Sequence, residues 1–394
     1  VYRKIVFAAA QGASFEEASA MLRELCELIL LSKRVWRAAR RIGEERMEEC
    51  RAAAEVYQQL PLPQQQQSPT GRAPQVACVQ MDGGRYQRRA RDEAEVSDSS
   101  DDKYWKEYKA GCLLSMTSEV FAEDPCPELP ATFVDPGKMR EMAREIKGFT
   151  SESAVSVDVE EVSVEVASPS RPGFPEVLVK SVVASSGDAE SFGPLLMSAA
   201  YERGFNAAER KAFVADGSST NWGVWQRFFS HYTPIVDFVH ALMYVYAGAL
   251  AGRAVDEGWV LYRDWAQWLW SGQVDLVIAA LQRRAEELGL PEKDEKGTPR
   301  AQVDSSLKYM LNQRSRMKYA EYRRQGLPIT SSAIESTIKQ INRRIKGTEK
   351  FWDQGVESML HLVADRLSQT QVADKFWARR THRIIQQACY QHAA

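Results

Sequence analysis

The hydrophobic pattern changes period along the chain. In residues 1–56 apolar positions recur every three or four residues, so Ala18, Met21, Leu22 and Leu25 share one face of a helix. Ser14, followed three residues on by Glu17, forms a capping box at that helix's start. A break near Leu30–Leu31 precedes a second helix, expected to be capped by Ser32 and to carry Lys33, Arg34, Arg37, Arg40 and Arg41. After the Gln/Pro stretch Gln58–Pro74 the pattern turns to strands. "QVACVQMD" (Gln75–Asp82) reads as an apolar strand ending on Asp-Gly, with "RYQRRAR" and "WKEYKAGCLLSM" as the next two strands. A helix is predicted over Pro136–Lys147, and the Val-alternating Ser151–Pro175 reads as an inserted hairpin or loop. A capped amphipathic helix in Ser186–Gly204 leads into "KAFVADGS", the fourth strand, and "WGVWQRFF" opens another helix. "TPIVDFVHA" (Thr233–Ala241) is a fifth strand running into helix. From there to about Gln325 the pattern is helical, with Trp259, Trp265, Trp268 and Trp270 clustered as a core. The last helices are expected at Ser332–Lys346 and from about Val356 to Gln387.

This order predicts an α/β fold with a mixed five-stranded sheet and flanking helices. Residues 1–56 form a helical region, 57–74 a linker, 75–241 the first part of the α/β core, 242–328 an all-helical segment, and 329–394 the rest of the core with C-terminal helices. With 394 residues, 44% hydrophobic and 26% charged, the composition is that of a soluble globular protein of two or three domains. No apolar run reaches bilayer length and no signal peptide is visible, so no membrane partner is expected. The six cysteines are scattered without a CxxC pair, which argues against a zinc ribbon or disulfide framework and for a cytoplasmic setting.

A net charge of −2 gives no general attraction for a polyanion, so nucleic-acid binding would have to use local patches. Four basic runs supply them: Ser32–Arg41, Gly84–Arg91, Asn312–Arg324 and Lys339–Lys350, against an acidic Asp92–Asp102. Two short helices with a basic second one suit a helix-turn-helix, and equally a plain helical hairpin with a solvated face.

Two strands end in Asp-Gly, at Asp82 and Asp216, and strand carboxyl ends are where side chains leave the sheet to do chemistry. Carboxylates gathered there repel one another unless a cation lies between them, and hard oxygen ligands suit Mg²⁺ or Mn²⁺. A third acid is needed to hold two ions, and Glu335 is the candidate. Two readings of it stand side by side. Ser332 with Glu335 is itself a capping box, yet Glu335, Lys339, Asn342 and Lys346 also form a polar row beside the apolar stripe Ile334, Ile338, Ile341 and Ile345. Asp237 and His240, at a strand–helix junction, read as a packed, hydrogen-bonded pair supporting a site, not as metal ligands.

The segments "VQMDGGR", "FVADGSSTNW", "PIVDFVHA" and "GLPITSSAIESTIKQINRRIKGTEKFW", in this order, resemble the DDE transposases of bacterial insertion sequences, above all the Kra-type family with its kinship to Mutator-like transposases. The resemblance covers most of Gln75–Arg380 and reaches the basic helix near Ser32. It implies an RNase H-like core interrupted after its fifth strand by a helical insertion domain, and an N-terminal DNA-binding region. It also implies a catalytic, metal-binding triad of Asp82, Asp216 and Glu335 holding two Mg²⁺ or Mn²⁺, with Asp237 and His240 in the family's D-x-x-H element. Double-stranded DNA, as transposon ends and target, would be the partner of a homodimer or larger assembly at the bacterial nucleoid. Arg37, Arg41, Arg85, Lys339, Arg343, Arg344 and Lys346 are the candidate DNA contacts. A descendant that binds DNA without cutting it, or a helix-turn-helix regulator, is the alternative.

Overall fold

A computed structural model of the chain describes residues 1–88, 104–139, 174–347 and 350–393. Six strands form one mixed open sheet: β1 (Val76–Arg88), β2 (Trp105–Thr117), β3 (Glu176–Ser185), β4 (Arg210–Ala215), β5 (Thr233–Val236) and the two-residue β6 (Phe351–Trp352). Their order is β3-β2-β1-β4-β5, with β2 antiparallel to β1 and β3, and β4 parallel to β1 and β5. β6 pairs in parallel with the far end of β1, Gln87 opposite Phe351. Val76 to Met81 are all buried, as befits a central strand covered on both faces.

Three strand expectations need correction. β1 does not stop at Asp82 but runs through Gly83 and Gly84 to Arg88, so "RYQR" continues the first strand and is not a second one. The glycines here serve the ladder and not a turn. A Cβ on Gly84 would fall 2.2 Å from Cζ of Tyr108, its cross-strand partner. The third strand is Glu176–Ser185, directly after the stretch read as a hairpin or loop, and β6 makes the sheet six-stranded instead of five. The Pro136–Lys147 helix and the Ser151–Pro175 segment fall largely outside the described residues, as does the acidic run Asp92–Asp102.

The helices are α1 (Tyr2–Gln11), α2 (Phe15–Cys26), α3 (Ser32–Gln59), α4 (Leu62–Gln65), α5 (Ala189–Glu202), α6 (Ser219–Phe228) and α7 (Phe238–Leu250). They continue as α8 (Val255–Trp270), α9 (Val274–Leu288), α10 (Pro299–Gln313), α11 (Tyr319–Arg324), α12 (Ser332–Ile345), α13 (Val356–Leu367) and α14 (Val372–Ala393). Helices cover both sheet faces. Gly111 leaves room for Leu196 of α5 on one face, while Tyr108 donates to Asn342 of α12 on the other at 2.9 Å. The long terminal helix expected to about Gln387 is two, α13 and α14. The residues between them close the outer edge of β3: Ser368 Oγ accepts from Val182 N, and Gln369 exchanges hydrogen bonds with the backbone of Lys180.

Ser14 caps α2 as expected, its side chain accepting from Glu17 N, while Glu17 reaches back to Ala13 N. Ser32 does not cap α3; the cap position is Leu31 and the helix extends past residue 56 to Gln59. The N-terminal helices are not detached from the sheet domain. α3 packs on α5 and α13, where Gly43 sits so close to Ser358 that a Cβ would meet its Cβ at 2.6 Å. Arg46 grips Asp365 with two hydrogen bonds of 2.8 and 3.2 Å. The Gln/Pro stretch is also anchored, through Asn206 Nδ2 to the Gln65 carbonyl at 2.7 Å. In the helical segment Trp265 and Trp270 are buried, and Trp270 lies edge-on to Phe238, which puts the tryptophans in a core. Among the described residues, no helix is long and apolar enough to cross a membrane.

Candidate active site

The pairing of β1 with β4 brings two acids together. Met81 is opposite Ala215, so Asp82 and Asp216 leave neighbouring parallel strands at the same level. Asp216 directly follows β4, and Gly217 turns the chain away with φ +104°, a conformation that L side chains rarely adopt. The helical segment braces this turn. Tyr309 of α10 donates to the Asp216 carbonyl at 2.8 Å, and Gln313 donates to the Gly217 carbonyl at 3.0 Å. Tyr309 is fixed in turn by stacking on Tyr244, ring centroids 3.8 Å apart. Glu335 arrives on α12, which packs across β1.

The hydrogen bonds sort the acids. Asp82 Oδ1 accepts from Gly83 N at 2.6 Å. Asp216 Oδ1 accepts from Ser218 N and from Asn221 Nδ2, both at 2.9 Å. Glu335 Oε1 accepts from Ser331 Oγ at 3.0 Å. Among the described residues, each of the three is hydrogen-bonded through one oxygen and not through the other. Asp237 differs: it is fully buried, Oδ1 accepts from Ser331 N at 2.7 Å, and Oδ2 accepts from His240 N and meets its Nδ1, both at 2.8 Å. Both its oxygens are committed to protein donors, so it organises the site and caps α7.

The charges report the same crowding. Burial pushes the Asp82 carboxyl up to about 6, and the charge of Asp216 pushes the same way. Glu335 is raised by burial and then by the charge of Asp237, with His240 pulling against. Burial would lower His240, but its hydrogen bond to Asp237 and the charges of Asp237, Glu335 and Asp216 hold it at about 9. At neutral pH it is therefore an imidazolium, partly offsetting the acids around it.

Asp237, His240 and Glu335 have ligand atoms within 4.8 Å of one another and so could together hold an ion. Asp237 already accepts protein hydrogen bonds on both oxygens, while Asp82, Asp216 and Glu335 are not found together within that distance among the described residues. Asp82, Asp216 and Glu335 supply hard oxygen donors, and the raised carboxyls of Asp82 and Glu335 are what a divalent cation relieves. On donor chemistry they fit Mg²⁺ or Mn²⁺.

Of the candidate DNA contacts, Arg37, Arg41, Arg85, Lys339, Arg343 and Lys346 are exposed. Arg41 lies over the ring of Tyr2 at 4.5 Å and Lys346 over Trp105 at 5.4 Å, while Arg85 sits 3.8 Å from Glu107. Arg344 is the exception. Only 4% exposed, it donates Nε to the Ala9 carbonyl at 2.8 Å and lies over Phe15 at 4.2 Å, so it belongs to the interior and leaves the basic row. The Ser332–Glu335 capping box does not form either. Ser331 is the cap residue, Ser332 is already helical, and Glu335 faces the acids.

Two residues that organise the site were not singled out from sequence. Asn221, besides holding Asp216, reaches the Met81 carbonyl at 3.3 Å and so ties the two strand ends. Gln80, buried in β1, bonds to the start of α12. The available signal for Gln80 was an amide in an otherwise apolar stretch, whereas Asn221 follows the polar run Asp216–Thr220 and gave no such signal. No family model matches the chain, and no curated protein matches it.

Proposed function

We propose that the protein is a DNA transposase of the DDE type, cutting the ends of an insertion sequence and joining them to target DNA. The observation that carries this reading is the set of three acids from β1, the β4 turn and α12, each hydrogen-bonded through one oxygen. The strand order and directions suit an RNase H-like core, and α8 to α11, between β5 and α12, suit the helical insertion expected of such enzymes.

Two divalent ions bound there would activate water or a 3′-hydroxyl for attack on a phosphodiester and stabilise the leaving oxygen. Asp82, Asp216 and Glu335 are the residues that would hold these ions through carboxylate oxygens. Asn221, Ser218 N and Ser331 fix the orientation of the ligands before DNA arrives, so no reorganisation is needed during reaction. Asp237 and His240 hold the start of α12 against β5 and supply a positive charge beside the acids. Exposed Lys339, Arg343 and Lys346 continue along the same helix and would follow a phosphate backbone.

The test is Mg²⁺-dependent end cleavage and strand transfer by the wild type and by Asp82→Ala, Asp216→Ala and Glu335→Ala, with DNA binding measured in parallel. The reading expects binding to survive and both reactions to vanish in each variant. Wild-type strand transfer by Glu335→Ala would exclude it.

A further inference from the structure

We propose that Gln80 is a positioning residue which sets the distance between Asp82 and Glu335 by capping α12 from the neighbouring strand. The proposal rests on the metal reading of the three acids and concerns how their spacing is enforced.

A helix start leaves backbone N–H groups in need of partners, normally supplied by the side chain of the cap residue. In α12 that residue, Ser331, makes no side-chain cap bond, because its hydroxyl is directed to Glu335. Gln80 takes over part of the task across the chain. Its Oε1 accepts from Ile334 N at 3.1 Å, a donor shared with the Ser331 carbonyl at 3.0 Å, and its Nε2 donates to the Thr330 carbonyl at 2.9 Å. One amide therefore grips the residue just before Glu335 and the chain leading into the helix.

The other end of the link is as short. Gln80 stands two residues before Asp82, so both side chains leave the same face of β1, the face on which α12 lies. Its neighbours Cys78, Val79 and Met81 are all buried and apolar. An unbonded amide there would be costly, and this one has both ends satisfied. Asp237 supplies a second tether from β5 through Ser331 N. Among the described residues, only Gln80 hydrogen-bonds α12's first turn to the strand that bears Asp82.

The experiment measures Mn²⁺ binding by the electron paramagnetic resonance of free Mn²⁺, with thermal melting alongside, in wild type, Gln80→Leu, Gln80→Asn and Asp82→Asn. Leucine removes both bonds at similar volume; asparagine keeps the amide but is too short to span both groups. The expected result is a Mn²⁺ dissociation constant raised roughly 10- to 100-fold in both Gln80 variants, the usual cost of losing a group that orients a ligand. The Mg²⁺ concentration needed for half-maximal end cleavage should rise in step, with DNA affinity unchanged. A folded Gln80 variant that binds Mn²⁺ within about threefold of wild type overturns the proposal, because a lost orienting group costs more than that. If Gln80→Leu fails to melt cooperatively, Gln80→Asn decides; if both fail, Gln80 is a structural pillar and the proposal is wrong. Wild type that binds no Mn²⁺, or Asp82→Asn that binds it as well as wild type, instead removes the metal reading itself.

Discussion

Asn221 donates its side-chain amide to Oδ1 of Asp216 at 2.9 Å from the first turn of the helix that follows. The same nitrogen also reaches the carbonyl of Met81, beside Asp82, so one buried amide fixes both the direction of Asp216 and its distance from β1. On the proposed function, Asn221→Ala should lower single-turnover cleavage by roughly 10- to 100-fold, the cost expected for a group that orients a metal ligand. Affinity for DNA should stay as in wild type, since Asn221 is not at the surface. Gel shift and cleavage on one substrate separate the two effects.

Asp82 gives a prediction with the opposite sign for stability. Its folded carboxyl sits at about 6 against an ordinary 3.8, because burial and then the Asp216 charge disfavour ionisation. The native state thus binds the proton more tightly than the unfolded chain, and this group's contribution to stability falls as pH rises from about 4 to about 6. At pH 7 without metal, Asp82→Asn should therefore raise stability by about 1–2 kcal/mol while abolishing cleavage. Urea denaturation in EDTA checks it, and the gain should shrink when Mn²⁺ is added to both proteins.

A second ionised pair lies away from the acids. Glu357 of α13 accepts from Ser185 Oγ at 2.7 Å and from Ser186 N at 2.5 Å, and faces His361 Nε2 at 3.2 Å. Burial would raise Glu357, but the hydrogen bonds from His361 and Ser186 outweigh it and hold it at about 2. Burial would lower His361, but its bonds to Cys50 and Glu357 hold it at about 9. The stabilisation from Glu357 is present above its ordinary 4.5 and lost as pH falls toward 2. That from His361 is present below its ordinary 6.5 and lost as pH rises through 9. The urea midpoint of Glu357→Gln should fall furthest below wild type between about pH 5 and 6.5, and the gap should narrow on both sides.

Arg344 joins the N-terminal helices to α12. Its guanidinium lies over Phe15 and, at 5.4 Å, over Trp352, and it caps the end of α1 through Ala9. Arg344→Met should cost about 2–3 kcal/mol, as expected when a buried charged donor is lost and its acceptor is left bare. The loss should appear first as faster hydrogen exchange in α1 and α2. Arg343→Met, an exposed neighbour, should leave exchange unchanged and weaken DNA binding.

The sequence made Asp216 easy to place and Asp82 half so, for a physical reason. After Ala215 the glycine turns the chain, whereas after Asp82 both Gly83 and Gly84 stay paired with β2, and Tyr108 fills the space a side chain on Gly84 would need. Which of these an Asp-Gly does depends on the cross-strand neighbour, and that is absent from local pattern. The helix α12 starts at Ser332 as expected, but its cap is Ser331 and not Ser332, because the two serines are adjacent and only tertiary bonds choose between them. Arg344 was legible in principle. It follows Ile341 by three residues and Thr337 by seven, so helical spacing puts it with buried positions, but its charge suggested the surface. The third strand was hidden in a different way: its edge is sealed by Ser368 and Gln369, far along the chain.

The bond from Gln80 to Thr330 spans 250 residues, and that separation orders events during synthesis. When β1 and β4 leave the ribosome, two acids exist without the helix that completes their set. Most of the chain must be translated before α12 can dock, so a truncated product would carry the basic N-terminal helices without the third acid. On the proposed function, such fragments would compete for DNA without cutting it. Because Glu335 lies late in the chain, the three acids can meet only after α12 has been translated.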